Sequence, residues 1–363
     1  MSYSNRSGFT FDPWDTAQLT QLVNRPLESR FEGVSTLGEQ IAPLVSVQAR
    51  EVSVAAREVL AFGQGQFRSP NATPPLVELD AEQTRSKMEL VLLDEMRRID
   101  EETWLNLNSS DERIRAAAGV SLVETGQILA IRNRRLTESL RWEAFSGEAT
   151  IVYNAGKDSE ASLTIDYGIP SANIVSAGTD WSDHANSTPI TDLKAWLKLP
   201  TYQVGVAGRY VHLSSEAWDH LIQSQEIIDY LTGSDRGLMI PTREDVQNLL
   251  PDGTEIVVDD SGFRDEDQGT NRNKSALTRY LPIDKVLITT DYTIDGERIA
   301  DMPDGLVTVA NSYNSTSIVQ GATAEVKLDQ MSLTHFMRYA SARIPRINHP
   351  GAFVWADVGA FTE

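Results

Sequence analysis

Glu112 to Gly147 read ERIRAAAGVSLVETGQILAIRNRRLTESLRWEAFSG, a run of 36 residues with one helical pattern from end to end. Ile114, Ala118, Leu122, Leu129, Leu136 and Leu140 step by three, four or seven, which predicts one apolar stripe with charges on the other faces. Asn108-Ser109-Ser110-Asp111 offers N-cap side chains, Glu112 suits the positive end of the helix dipole, and Gly147 is a natural stop. At 1.5 Å per residue this rod would be roughly 50 Å long, longer than most globular helices. The alternative is an ordinary core helix broken near Gly119 or Gly126. A hairpin follows directly, with Ala149 to Tyr153 and Leu163 to Tyr167 on either side of Asn154-Ala155-Gly156-Lys157-Asp158. A straight rod feeding a two-stranded ribbon suits a building block better than a catalyst.

Outward from the rod, residues 1 to about 45 contain Pro13, Pro26 and Pro43 and too few periodic positions for a core of their own. Phe9, Phe11, Trp14 and Phe31 would be awkward on a monomer, so this arm is expected to lie against other protein surface. Valines at positions 45, 47, 52, 54 and 59 and the run Leu76-Val77-Glu78-Leu79 suggest two strands around a Gly/Pro-rich tip. Gly63 and Gly65 in that tip lack the Lys-Ser/Thr of a phosphate loop. Met88, Leu92, Met96 and Ile99 predict a helix from about Thr84 to Leu107.

Beyond the hairpin, Ile190 to Leu197 reads as a helix. A mixed unit then begins near Gly205, with a strand over Arg209 to Leu213 and a helix capped by Ser214 or Ser215 that carries Trp218 to Leu231. Thr242 opens a shorter helix, and strands follow at Glu255 to Val258, Lys285 to Thr289 and Leu306 to Val309. The hydrophilic stretch from Asp259 to Lys274 reads as an exposed loop, and Phe353 to Val358 alternates like a strand that pairs with something earlier. The pattern is α+β.

A chain of 363 residues with 40% hydrophobic content can bury a real core, and its length suggests two or three subdomains. Without cysteine, stability must come from packing or assembly. No signal-peptide pattern is visible and no apolar stretch reads as a membrane span, so a soluble protein made in a cytoplasm is expected. Fifty-two acidic against 32 basic residues give a net charge of −20, which opposes broad wrapping by nucleic acid. The positives nevertheless concentrate at Arg97, Arg98, Arg113, Arg115, Arg132, Arg134, Arg135 and Arg141, as solvated or intersubunit ion pairs or as a local surface facing nucleic acid.

Chemistry finds little purchase. The histidines at 184, 212, 220, 335 and 349 have no metal-protease spacing. Asp180, Asp183 and His184 beside Trp181 make the best candidate for a metal or acid/base cluster, and surface hydrogen bonding is the plainer account. The acidic residues Asp259, Asp260, Asp265, Glu266 and Asp267 lack the order of a calcium loop. Ser214 and Ser215 lie in no nucleophile elbow. Trp104, Trp142, Trp196 and Trp218 read as packing anchors within helices. No catalytic, cofactor-binding or metal residue is assigned, and no cofactor is expected.

The order of elements then becomes recognisable: arm, extended loop, long helix, the hairpin ending Leu163-Thr164-Ile165-Asp166-Tyr167-Gly168, then Trp181 through Pro189-Ile190 to Asp192-Leu193. A strand, a Trp-bearing helix, Tyr280-Leu281-Pro282-Ile283-Asp284-Lys285-Val286 and the closing Arg343-Ile344-Pro345-Arg346 complete it. From about residue 36 to 358 this resembles the lambda-type major capsid proteins of tailed bacteriophages, the capsid protein E superfamily, whose shell fold is that of phage Hong Kong 97. The resemblance implies an N-arm over residues 1–44, an extended E-loop hairpin over 45–83 and a P-domain over 84–204. That P-domain holds a spine helix at about 112–147 and a hairpin at 149–167. It further implies an axial A-domain over 205–329 and a C-terminal return to the P-domain over 330–363.

It implies a non-enzymatic head protein that self-assembles as hexamers and pentamers into an icosahedral shell in the host cytoplasm and ends in the virion. The implied partners are further copies of itself, a portal protein, a decoration protein and packaged double-stranded DNA touched non-specifically on the inner face, with no membrane. The type member of the fold joins an E-loop lysine to a neighbour's asparagine. The first lysine here is Lys87, beyond the loop, so that covalent link is expected to be absent. No N-terminal coiled segment of about a hundred residues is present to act as a fused scaffold, which implies a separate scaffolding protein. The alternatives are an encapsulin-type compartment of the same fold and a metal-dependent hydrolase built on Asp180, Asp183 and His184.

Overall fold

The caps and stripe of residues 112–147 produce the rod they predict. In the computed structural model, which describes residues 3–4, 10–11, 15–24, 37–55, 85–153, 161–232, 241–264, 277–312, 315–329 and 334–361, Glu112–Phe145 is one helix of 34 residues. The Asp111 carboxylate accepts the Arg113 amide at 2.8 Å, and Gly147 turns the chain away with φ +107°. Neither glycine breaks the helix. A Cβ on Gly126 would lie 2.4 Å from Met337 Cε and 2.7 Å from Val23 Cγ2, so this glycine is the gap through which two other elements reach the rod. Ala118, Leu122, Leu129 and Leu140 are buried as expected, whereas Ile114 and Leu136 are exposed.

The buried stripe lies on a sheet whose central strand is Thr334–Arg343. Val91–Arg98 and Thr323–Asp329 pair with it, both antiparallel. Ala300–Asp304 joins through Asp304 opposite Arg343 and carries Leu44–Ser46 in parallel and Arg346–Ile347 antiparallel. Alternation along the central strand turns Met337, Tyr339, Ser341 and Arg343 toward the helix.

This sheet corrects the helix expected from Thr84 to Leu107. The chain instead forms strands Arg85–Glu89 and Val91–Arg98, and only Glu101–Leu107 is helical. The four-residue spacing of Met88, Leu92 and Met96 also satisfies period two, and it marks the exposed face: Leu92 and Met96 face solvent while Leu90, Val91 and Leu93 are buried. Of the expected loop strands, Glu51–Ala55 is present and pairs with Arg85–Glu89, while Leu76–Leu79 falls outside the described residues with the rest of 56–84.

The N-terminal stretch also holds more structure than its prolines suggest. Asp15 caps helix Thr16–Val23, whose Leu19 and Val23 are buried against the rod and sheet, and Leu37–Ile41 is a second short helix. Thr20 exchanges hydrogen bonds with Ala324 at the sheet edge, at 2.9 and 3.2 Å. Phe9, Trp14 and Phe31 lie outside the described residues, as does the side chain of Phe11.

The second unit is a five-stranded sheet in the order Glu255–Val258, Tyr210–Leu213, Lys285–Thr289, Phe353–Asp357, Ile174–Ser176. Helices Pro189–Trp196, Ser215–Gln223, Gln225–Thr232 and Arg243–Leu249 cover it, around Trp181, Leu193, Leu213, Leu221 and Ile288. The single helix expected through Leu231 is two, because Ser224 adopts an extended conformation and its hydroxyl meets the Ile227 amide. Thr242 and Asp245 form a reciprocal capping box. The C-terminal stretch serves both sheets: Thr334–Arg343 lies on the rod, and Phe353–Asp357 lies between Lys285–Thr289 and Ile174–Ser176. Leu306–Ser312 pairs with Ser315–Gln320 as a separate hairpin.

By length and composition alone the rod is long and apolar enough to cross a membrane, a test that packed helices of soluble proteins also pass. Enlarging Gly126 tests its packing: Gly126→Leu is expected to lower unfolding stability by about 1–3 kcal/mol through overpacking against Val23 and Met337, read from urea denaturation.

Candidate assembly surfaces and their anchors

The residues singled out for chemistry take structural places. Trp181 is buried, donates its indole N–H to Asp192 Oδ2 at 3.2 Å and stacks on Trp196 at 6.1 Å. Asp183 accepts from Asn186 at 2.8 Å, and Asp180 lies against Gly359. His184 Nε2 meets His220 Nδ1 at 2.9 Å, and Phe361 packs on His220. Burial and then the facing His184 lower the His220 pKa. Among the described residues no group of three His, Asp or Glu side chains is placed to hold a metal ion. Ser214 caps Ser215–Gln223 by accepting the Ala217 amide at 3.0 Å. Asp259 and Asp260 hold their own turn and Arg279, while 265–267 lie outside the described residues. Trp104, Trp142, Trp196 and Trp218 all lie on helices.

The structure gathers instead a buried polar knot on the rod. Glu138, 1% exposed, accepts from the Gly38 amide at 2.8 Å, from Trp142 Nε1 at 3.2 Å and from Arg141 Nη1 at 2.8 Å. Burial pushes the Glu138 carboxyl up and the Arg141 guanidinium down, and their mutual contact opposes both shifts. A guanidinium does not deprotonate in proteins, so the pair stays ionic. A Cβ on residue 38 would sit 2.4 Å from Glu138 Oε1, which is why glycine stands there. One turn back, Asn133 Oδ1 accepts from Ser341 Oγ at 3.0 Å and Arg343 Nη1 at 3.4 Å, and Arg343 Nη2 donates to Asp304 at 2.9 Å. N-terminal segment, rod and sheet are thus bound at one place.

Further clamps surround it. Arg338 holds both Asp94 oxygens and also Glu325, and the hydrogen bonds to Asp94 raise its pKa further. Arg346 takes Asp301 in the same forked manner. The closing Arg343-Ile344-Pro345-Arg346 is therefore a pair of sheet clamps. Sequence reasoning missed Glu138 and Gly38 and placed Arg141 among the surface arginines, whereas it is buried on Glu138. The available signal was a Glu and an Arg one turn apart within the otherwise apolar stripe.

Outside these anchors several large apolar side chains are exposed. Leu92 and Met96 are more than half exposed on the outer face of their strand; Val152, Tyr153 and Leu163 stand out on the hairpin; Tyr202, on helix Leu199–Val204, is 79% exposed. Of the eight clustered arginines, Arg141 is buried with Glu138, Arg132 meets Glu95 at 2.9 Å and Arg134 faces Glu39 at 3.7 Å.

Comparison with known proteins gives this surface a context. The family model described as phage major capsid protein E matches residues 66–332. The crystal structure of a prophage protein of E. coli CFT073, described as its capsid protein, aligns with a TM-score of 0.56 at 15% identity, over 99% of this chain and 100% of that one. A phage-related protein from Bordetella bronchiseptica RB50 aligns with a TM-score of 0.54 at 10% identity, over 95% and 97%. No curated protein sequence matches the chain.

The knot and the buried histidine each yield a test. Glu138→Ala leaves Arg141 buried without its charge partner and is expected to cost about 3–5 kcal/mol in chemical unfolding, with Glu138→Gln, which keeps the acceptor for Gly38, costing less. His212 is fully buried, and burial alone depresses its pKa to about 3. The stability this contributes is complete above about pH 6.5 and is lost as pH falls toward 3, at about 1.4 kcal/mol per unit. Unfolding of His212→Gln between those values should therefore fall less steeply with acid than the parent.

Proposed function

The chain belongs to the phage major capsid protein E family and has its Hong Kong 97-like fold; from that premise we propose that it closes into an icosahedral head as hexamers and pentamers around double-stranded DNA. Family membership makes it a self-associating shell component of the virion. The observation that carries the finer reading is the exposed apolar surface of rod, hairpin and Val91–Arg98, which one copy leaves to solvent and sister copies would cover.

Within that reading, residues 1–44 are the N-arm, 45–83 the E-loop, 84–204 the P-domain, 205–329 the axial A-domain and 330–363 the return. The docking of Ile41 and Ala42 in the main core and of Gly38 on Glu138 supports an arm whose last part is held by its own copy. The ribbon Glu51–Ala55 with Arg85–Glu89 supports an extended loop springing from the P-domain. Lys87 lies in that ribbon opposite Ser53, at the base of the loop and away from its tip, which favours a shell without a covalent lysine link.

The role is structural and not catalytic. A portal and a separate scaffolding protein are the further partners, with a decoration protein as an optional one, and assembly takes place in the host cytoplasm. The matching family favours a virus head over an encapsulin-type compartment.

Electron microscopy of particles from infected or expressing cells tests this. DNA-filled heads bearing tails are expected from the phage, and empty compartments loaded with enzyme would contradict the reading. Deleting residues 2–14 is expected to leave unfolding stability near that of the parent while abolishing closed shells; intact heads from that variant would refute the arm's role.

A further inference from the structure

The hairpin that follows the rod carries one apolar face farther than its own core reaches. Its register pairs Ala149 with Ile165, Ile151 with Leu163 and Tyr153 with Ala161, and alternation sets all six on one side. Thr150 and Thr164, whose hydroxyls meet at 3.2 Å, mark the other side. Ala149, Ile151 and Ile165 are buried in the main core. Toward the tip the same face emerges into solvent, with Leu163 45% and Tyr153 39% exposed. A ribbon finished by water would turn polar on both sides there. Its charge is one-sided as well: Glu148, Asp158, Glu160 and Asp166 stand against Lys157 alone.

The strand Val91–Arg98 presents a surface of the opposite character. Leu92, Asp94, Met96 and Arg98 alternate onto the side turned away from the rod, and Leu92 and Met96 are more than half exposed. The strand's two carboxylates are already engaged, Asp94 by Arg338 and Glu95 by Arg132. Arg97 and Arg98 are exposed and meet no carboxylate among the described residues. The strand therefore offers an apolar pair beside uncompensated positive charge.

We propose that the outer end of the hairpin, with Tyr153 and Leu163, seats on Leu92 and Met96 of a second copy, its carboxylates turned toward Arg97 and Arg98. The proposal rests on the shell reading and names one contact within it. Charge selects the pairing. Hairpin against hairpin would set carboxylates on carboxylates, and strand against strand would set arginines on arginines, whereas hairpin against strand joins opposite signs. With a net charge of −20 on each chain, close contact between copies requires such places. The side chains suit one another too, a rigid aromatic ring and a leucine meeting a leucine and an adaptable methionine. Because the two surfaces differ, the contact runs head to tail: each copy gives its hairpin to one neighbour and receives the hairpin of another, an arrangement that closes into a ring.

The absence of cysteine makes the test clean. Shells co-assembled from Leu163→Cys and Met96→Cys chains and treated with a short bismaleimide are expected to give dimers on denaturing gels, and shells of either variant alone mainly monomers. Arg97→Glu/Arg98→Glu is expected to lower shell yield at least tenfold at low salt with an unchanged circular dichroism spectrum, and an undiminished yield would overturn the contact. Co-assembled shells that form without crosslinking would also overturn it and leave the capsid reading standing; a parent chain that forms no shells would overturn the capsid reading itself. Dimers from Leu163→Cys alone would place hairpin on hairpin and refute the head-to-tail pairing. A Leu163→Cys thiol that crosslinks in phage particles to a different protein would assign the hairpin face to that protein and overturn the contact.

Discussion

The structure depends on one constraint: a helix of 34 residues must lie flat on a sheet built from strands far apart in sequence, and a buried carboxylate pins the N-terminal segment across both. A rod of that length has little stability alone, since most helical stability in proteins comes from packing an apolar face. Here Gly126 lets Met337 and Val23 reach the backbone, and Glu138 converts the Gly38 amide, a hundred residues away, into an anchor. The ion pair is weak evidence for stability as such, because well-packed apolar residues could replace it. Its contribution is an anchor: the Glu138 carboxylate that holds Arg141 and Trp142 also accepts the Gly38 amide, and so ties residues 37–42 to the rod.

The same constraint explains what remains uncovered. One face of the rod and one face of Val91–Arg98 are consumed by the chain's own core, and their opposite faces keep Ile114, Val120, Ile128, Leu92 and Met96 in solvent. A monomer that evolved to stay alone would place charges there. The second unit buries Trp181, Leu193, Leu213 and Val354 fully, and it too leaves apolar side chains exposed at Ile174 and Tyr230. That distribution fits a protein whose lateral parts are finished by neighbours.

Much of this was legible where the signals are local. The Asp111 cap, the leucine steps, the hairpin and the Thr242 capping box each act within a few residues, and each is present. The misread segment from Thr84 failed because a spacing of four fits helix and strand alike, and pairing with Thr334–Arg343, some 245 residues away, decides between them. Ser224 interrupts a helix whose apolar steps run on unbroken, since a hydroxyl can cap the next helix from inside the pattern. The knot of Glu138, Arg141 and Gly38 joins parts no sequence window spans. Asp180, Asp183 and His184 are neighbours in sequence, yet their side chains turn to different partners, so proximity along the chain overstated their common purpose.

The central claim is that the chain is complete only among its copies. Sedimentation velocity of the purified protein across ionic strength measures that directly. The account predicts particles of many subunits, favoured as salt screens the charge of −20 on each chain. A single 40.2 kDa species at every salt and protein concentration would contradict it.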